Sequence, residues 1–222
     1  MSVRSKKYPR TYHLPFSPGK SSDDKSLDSF EHFLKREIIV TEKLDGSNLC
    51  LTRDSIYGRS HSSEPIHKSF DAAKALHARV RFMIPEGYSI FGEWCYAVHS
   101  IKYEEIADPF HVFAIRNDKT QEFSSFNNVI SFCKLMSFTH VPELGRYILN
   151  DGNVFRKTIE NIANSPSTYG PVKEGLVIFH AENFHMKDFK HKVAKWVRKD
   201  HIQTSEHWKF QPIEKQNIKK QR

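Results

Sequence analysis

The chain has 222 residues, room for one large domain or a domain and a half, and its net charge of +8 with a pI near 9.3 suits a polyanionic partner. Three scattered cysteines, Cys50, Cys95 and Cys133, form no Cys-x-x-Cys pair, which argues against a disulfide framework or a cysteine zinc site and for a reducing, cytoplasmic setting. No apolar run approaches membrane-spanning length, so the expectation is a soluble, unsecreted protein with no membrane partner.

Residues 1–20 are basic and broken by prolines, and they read as extended over the surface. The stretch 17–26, SPGKSSDDKS, is a loop by composition. Asp28 is placed to cap a short helix reaching Arg36, with Leu27, Phe30, Phe33 and Leu34 on one face. Next comes the stretch on which the reading turns. The run Glu37-Ile38-Ile39-Val40 leads into Thr41-Glu42-Lys43-Leu44-Asp45-Gly46-Ser47-Asn48, and Leu49-Cys50-Leu51-Thr52 follows. Two β-rich runs meeting at Asp45-Gly46 predict a strand, a tight turn and a returning strand. An ordinary lysine titrates near 10.4 and is a protonated, poor nucleophile at neutral pH. Apolar surroundings and nearby cations would leave Lys43 neutral and able to attack phosphorus or carbonyl carbon. An exposed lysine at a hairpin tip fits the same residues.

From 69 to 84, Phe70, Ala73, Leu76, Val80 and Met83 recur at helical spacing, with Lys74, Arg79 and Arg81 on the polar side. Strands are expected at 88–94 and 110–116, and helices at 125–136 and 154–163, the second stopped by Asn164-Ser165-Pro166-Ser167. Runs 174–179 and 191–197 complete the strands, and the basic stretch after Trp208 has the composition of a disordered tail.

Several of these strands carry a single ionisable group: Glu93, Glu174, Lys192 and Lys195. A charge in a half-buried strand is costly unless paired or used. Lysines with carboxylates together suit a phosphate-bearing ligand and Mg²⁺, which takes carboxylate and phosphate oxygens. Phe113 is either core or a platform for a base. The 13 histidines show no zinc-ligand spacing, and no Gly-x-x-x-x-Gly-Lys loop is present to cradle a nucleotide.

In order, these elements resemble the covalent nucleotidyltransferases, and among them the ATP-dependent RNA ligases of the phage RNA ligase 2 type. Glu42-Lys43-Leu44-Asp45-Gly46-Ser47-Asn48 resembles motif I, Tyr57-Gly58-Arg59-Ser60 motif Ia and Phe91-Gly92-Glu93-Trp94 motif III. Phe110-His111-Val112-Phe113-Ala114-Ile115 resembles motif IIIa, Glu174-Gly175-Leu176-Val177 motif IV and Val193-Ala194-Lys195-Trp196 motif V. Two positions depart from the pattern. Val197 stands where a second motif V lysine is usual, leaving Arg198 or Lys192 to substitute, and Ala114 stands where an aspartate is common.

The resemblance implies an α+β nucleotidyltransferase domain over residues 1–208, with antiparallel sheets around a nucleotide cleft, and a basic tail over 209–222. It implies ATP and Mg²⁺ (or Mn²⁺), and RNA carrying 5′-phosphate and 3′-hydroxyl ends, handled by a monomer. Lys43 would become adenylylated, with Lys195 on the α-phosphate. Thr41, Glu42, Asn48, Arg59, Glu93, Phe113, Glu174 and Lys192 would complete the nucleotide site, and Glu174, Glu93 and Asp45 the metal site. No oligonucleotide-binding barrel follows motif V, which favours an RNA ligase over a DNA ligase or capping guanylyltransferase. A non-catalytic RNA-binding module is the remaining alternative.

Overall fold

In the computed structural model, which describes residues 7–59, 64–199 and 212–219, the apolar runs form two sheets with helices on their outer faces. The first half of the chain gives β1 (Tyr12–His13), β2 (Glu37–Lys43), β3 (Ser47–Leu51), β4 (Ile56–Tyr57), α1 (Asp71–Val80), β5 (Tyr88–Trp94) and β6 (Phe110–Asn117). Then come β7 (Glu122–Phe123), α2 (Phe126–Met136), β8 (Thr139–His140), β9 (Glu143–Ile148) and α3 (Gly152–Asn164). The series ends with β10 (Gly175–His180), β11 (Phe184–His185), α4 (Phe189–Lys192) and β12 (Val193–Val197). One sheet runs β1-β12-β10-β2-β9 and the other β11-β7-β6-β5-β3-β4, with β8 on β6. Pairing is antiparallel except for β1 with β12 and β6 with β8, so the α+β class with antiparallel sheets holds.

Each sheet buries its outer face under a helix. Phe155, Ile159 and Ala163 recur every four residues along α3 and pack with Ile38, Val40, Leu176, Ile178 and Trp196. Burying a side chain the size of Phe155 or Ile159 is worth about 1.5–3 kcal/mol. The Asp151 carboxylate starts α3 by accepting the N–H groups of Asn153 and Val154, both at 2.9 Å. The second sheet buries Leu49, Leu51, Ile90 and Val112 with Ala73 of α1 and Val129 and Cys133 of α2. Between the sheets, Cys50, Phe91, Ala114 and Phe123 meet Phe189 and Val193, fixing how the two layers sit.

Several expectations change. Strands β2 and β3 do not form a hairpin: β2 pairs β10 and β9, whereas β3 pairs β4 and β5. Asp45-Gly46 is therefore a corner between sheets. A Cβ on Gly46 would lie 2.8 Å from Trp94 O and 3.0 Å from Glu93 Cγ, so the corner needs glycine for close approach. The helix expected over 28–36 is a single 3₁₀ turn, Glu31–Phe33, because the chain must extend again into β2. Along 69–84, Met83 is exposed and His77 is buried in its stead, bonded to Thr52 O at 2.8 Å. His191 and Lys192 belong to α4 and not to the last strand. Residues 212–219, within the stretch read as a free tail, pair with the 95–106 loop through Ala97–Lys215 and Ile106–Ile218. Arg4, Lys6, Ser60, His61 and residues 200–211 lie outside the described residues. All three cysteines are buried thiols outside any disulfide, and no helix among the described residues is long and apolar enough to cross a membrane.

Buried histidines make the fold acid-sensitive. Burial, aided by Lys195, holds His13 down at about 4; burial aided by His191 and by Lys192 does the same for His32 and His180 respectively. His111 is lowered to about 3 by burial and by His140. Unfolded histidine titrates near 6.5, so between about pH 4 and 6.5 the unfolded chain binds more protons and stability rises with pH. The urea midpoint should therefore fall steadily from pH 7 to pH 4. A midpoint that stays flat through pH 5 would place these rings in water.

Candidate active site

Both sheets contribute to one cleft of about 1760 Å³, and strand register decides which side chains enter it. Thr41, Val177 and Lys195 are opposed across β2, β10 and β12, so all three share one face of the first sheet. Lys43 stands opposite Gly175, which puts Glu174 beside it. A Cβ on Gly175 would lie 2.1 Å from Trp196 O, so glycine lets β10 approach β12 at this point. From the second sheet, Asn48 and Glu93 are paired neighbours on β3 and β5. Phe113 on β6 is half-buried and shares its cluster with Val177 from the facing sheet.

Charge is concentrated where the sheets meet. The Lys43 ammonium donates to Glu174 Oε2 at 2.6 Å, with the two side chains 26% and 11% exposed. Burial acts to lower the Lys43 pKa, but Glu174, Glu93 and Asp45 together outweigh it and hold the ammonium above the usual lysine range. The expected neutral Lys43 in apolar and cationic surroundings is therefore not what the resting site holds: carboxylates dominate around it, although Lys195 is close enough to feel its charge. Glu93 moves the other way, up to about 8, through burial and the repulsion of Glu174 and Asp45, against the pull of Lys43. Lys195 has its pKa lowered by burial and by the charge of Lys43, against Asp24, whose Oδ1 lies 3.3 Å from Lys195 Nζ.

Asp45 has a different task from Glu93 and Glu174. Its Oδ2 accepts the backbone N–H groups of Ser100 and Ile101, both at 2.7 Å, and its own N–H donates to Tyr103 Oη at 2.8 Å. One oxygen of this carboxylate thus ties the Lys43 corner to the 95–106 loop. Glu42 is turned away from Thr41, its carboxylate accepting from Ser167 Oγ and from Thr168 N–H. Thr41 Oγ1 lies 3.4 Å from Val177 O. Arg59 is exposed at the rim. Asn48 lines the cleft with its Oδ1 buried and unbonded among the described residues. Lys192, expected at the nucleotide, does not line the cleft: its place in α4 sends it to His180 Nδ1 at 3.2 Å and Glu182 at 3.6 Å. Arg198, the other candidate for the missing motif V lysine, donates its backbone N–H to Glu174 O at 3.0 Å.

Three residues of the site were not singled out from sequence. Tyr8 lines the cleft and meets Phe113 edge-on at 4.9 Å. Asp24 holds Lys195 and sits 3.3 Å from His13 Nε2. Tyr103 receives the Asp45 N–H. None carries a local signal, since a tyrosine in an N-terminal segment and an aspartate in a Ser/Asp-rich loop are ordinary surface residues.

The donor chemistry fits a divalent cation bound jointly with phosphate. Glu93 and Glu174 share one cleft, and the charges of Glu174 and Asp45 raise the proton affinity of Glu93, an excess of negative charge that a cation would relieve. Among the described residues no three His, Cys, Asp or Glu side chains form a metal cage by themselves, and Mg²⁺ commonly uses one or two carboxylates plus substrate phosphates.

A model of the RNA ligase family matches residues 36–197. No curated protein matches the sequence. Among solved structures, Naegleria gruberi RNA ligase with pyrophosphate matches at 21% identity and a TM-score of 0.58, covering 89% of this chain and 60% of that one. A glutamate-to-alanine mutant of the same ligase with ATP and Mn matches at 18% identity and 0.58, over 91% of this chain and 63% of that one. A lysine-to-alanine mutant with ATP and Mn gives 17% and 0.56, over 86% and 60%. At these identities the likeness is one of fold. The chain spans about 60% of the length of the structures it matches.

Proposed function

The chain belongs to the RNA ligase family, and from that premise we propose that it is an ATP-dependent enzyme joining 5′-phosphate and 3′-hydroxyl RNA ends through a lysyl–AMP intermediate. The observation that carries this reading is the meeting of Lys43, Glu174, Glu93 and Lys195 in one cleft walled by Phe113 and Val177. In the first step Lys43 Nζ, having lost its proton, attacks the α-phosphorus of ATP; the bond to the β-phosphate oxygen breaks and pyrophosphate leaves. In the second the RNA 5′-phosphate oxygen attacks the same phosphorus, returning the amine of Lys43. In the third the RNA 3′-hydroxyl attacks the activated 5′-phosphate, and AMP leaves as the strand closes.

Lys195, oriented by Asp24, provides positive charge for the phosphate as negative charge grows in the transition state. Phe113 and Val177 provide apolar walls for the base. Glu174 and Glu93 would hold the Mg²⁺ or Mn²⁺, which supplies countercharge at the phosphates. Incubation with α-labelled ATP and magnesium tests the proposal: a labelled protein band supports it, and its absence overturns it. Labelling by GTP in preference would assign a capping-type guanylyltransferase. Sealing assays with RNA or DNA on each side of a nick separate the ligase types.

Phe113→Ala should raise the ATP requirement about ten- to hundredfold with Phe113→Tyr close to wild type, because base stacking is worth about 1–3 kcal/mol. Unchanged ATP dependence in a folded Phe113→Ala protein would remove Phe113 from the site.

The basic excess serves the polynucleotide. Each phosphate neutralised contributes a log–log salt slope of roughly −0.7 to −0.9, whereas ATP is held within the cleft. Raising salt severalfold should therefore depress strand joining steeply and spare lysyl–AMP formation. Parallel loss of both would leave the charge of +8 as a solubility feature.

A further inference from the structure

The 95–106 loop that grips Asp45 has no regular secondary structure, and among the described residues its only β-bridges are to the 212–219 segment, at Ala97–Lys215 and Ile106–Ile218. Backbone bonds run the length of this strap: Val98 N–H to Glu214 O at 2.8 Å, Gln216 N–H to Tyr96 O at 3.0 Å, and Ile106 N–H to Asn217 O at 2.8 Å. Gln216 is 4% exposed, and both ends of its amide are used. Its Oε1 accepts the Tyr103 N–H at 2.9 Å and its Nε2 donates to Ile101 O at 2.7 Å. Those two residues, with Ser100, also hold the Lys43 corner. Ile101 N–H bonds the Asp45 carboxylate, and Tyr103 Oη accepts the Asp45 N–H. A continuous hydrogen-bond path therefore joins Gln216 to the residue two places after Lys43.

We infer that Gln216 is a positioning residue for the chemistry of Lys43, acting through Ile101, Tyr103 and Asp45, and that the 212–219 strap belongs to the frame of the active site. The inference rests on the proposed lysyl–AMP reaction. A buried amide bonded at both ends fixes two backbone groups at once, and losing it leaves a donor and an acceptor unpaired inside the protein. With no sheet ladder of its own, the loop would then relax, and Asp45 with it. The stretch after Trp208, whose composition is that of a disordered tail, thus includes part of the frame: removing it also removes the strap.

The test uses the full chain with Gln216→Ala and, separately, Tyr103→Phe, which deletes only the oxygen that accepts the Asp45 N–H. Two reactions are timed: lysyl–AMP formation from α-labelled ATP, and sealing of a pre-adenylylated RNA strand, which needs no attack by Lys43. A small misplacement of a reacting group costs up to about 100-fold, so Gln216→Ala should slow lysyl–AMP formation by about 10- to 100-fold at saturating ATP. The KM for ATP and the sealing of the pre-adenylylated strand should each stay within about threefold, because neither requires the attack geometry of Lys43. Tyr103→Phe should show the same selective pattern with a smaller loss. Unchanged lysyl–AMP formation in both variants overturns the inference, and so does equal loss of both reactions, which would make the strap a general stabiliser. Failure of the wild type itself to label overturns the proposed function, a result distinct from wild-type-like variants.

Discussion

Lys43→Ala should form no labelled protein with α-labelled ATP, a loss on the order of 10³-fold or more for removal of a nucleophile. The expectation needs an argument, because the cleft holds two lysines and their proton affinities favour the other one. Lys195 is shifted down by burial, whereas Lys43 is held up by three carboxylates. By ease of deprotonation alone, Lys195 would be the nucleophile. Geometry points the other way. Both lysines are engaged by carboxylates, but Lys43 ends β2 at the corner where Glu174 and Glu93 concentrate the charge suited to a cation and phosphates, whereas Lys195 is held by Asp24. A cation bound by those carboxylates would weaken their hold on the Lys43 proton, so the raised pKa describes the resting site. Lys43→Arg should fail as completely as Lys43→Ala, since a guanidinium keeps its proton under all usable conditions. Lys195→Ala should slow labelling without abolishing it. Mapping the labelled peptide to Lys195, or labelling that persists in Lys43→Ala, would reverse the assignment.

What the sequence made legible was the set of polar residues placed within apolar runs. Glu93, Glu174 and Lys195 each interrupt or border a strand, and strand pairing brings them to one cleft with Thr41 and Phe113. Pairing itself was not legible. Asp45-Gly46 fits a hairpin turn by every local rule, and only the pairing of β2 with β10 and β9, and of β3 with β4 and β5, shows that the chain changes sheets there. The proton affinity of Lys43 went astray for the same reason. Its partners come from positions 93 and 174, far along the chain, and no local composition gives their sign. Lys192 was assigned by its nearness to motif V, yet a four-residue helix carries it to Glu182. Gln216 sits in a stretch whose polar composition resembles a disordered tail, because a strap that bonds through its backbone needs few apolar side chains.

Glu174→Gln should leave the protein folded while cutting lysyl–AMP formation by about 100-fold or more, although its two effects on the cleft oppose each other. The amide still accepts from Lys43 at the same place, and Lys43, 26% exposed, keeps some contact with water, so breaking this ion pair does not strand a fully buried charge. Losing the Glu174 charge removes the strongest pull on the Lys43 proton, and that alone would quicken the attack. It also leaves Glu93 as the remaining carboxylate of that pair for a divalent cation, and loss of a ligating oxygen weakens Mg²⁺ where proteins supply only one or two. The second effect should dominate, because the amine is useful only if the phosphates are held and their charge neutralised. The two are separable by titration. Raising Mg²⁺ or Mn²⁺ should restore part of the lost rate, with the half-maximal concentration moved upward, and the optimum pH for labelling should move down as Lys43 becomes easier to deprotonate. A Glu174→Gln protein as fast as wild type at ordinary magnesium would show that Glu174 only restrains the Lys43 proton and that the cation is held elsewhere.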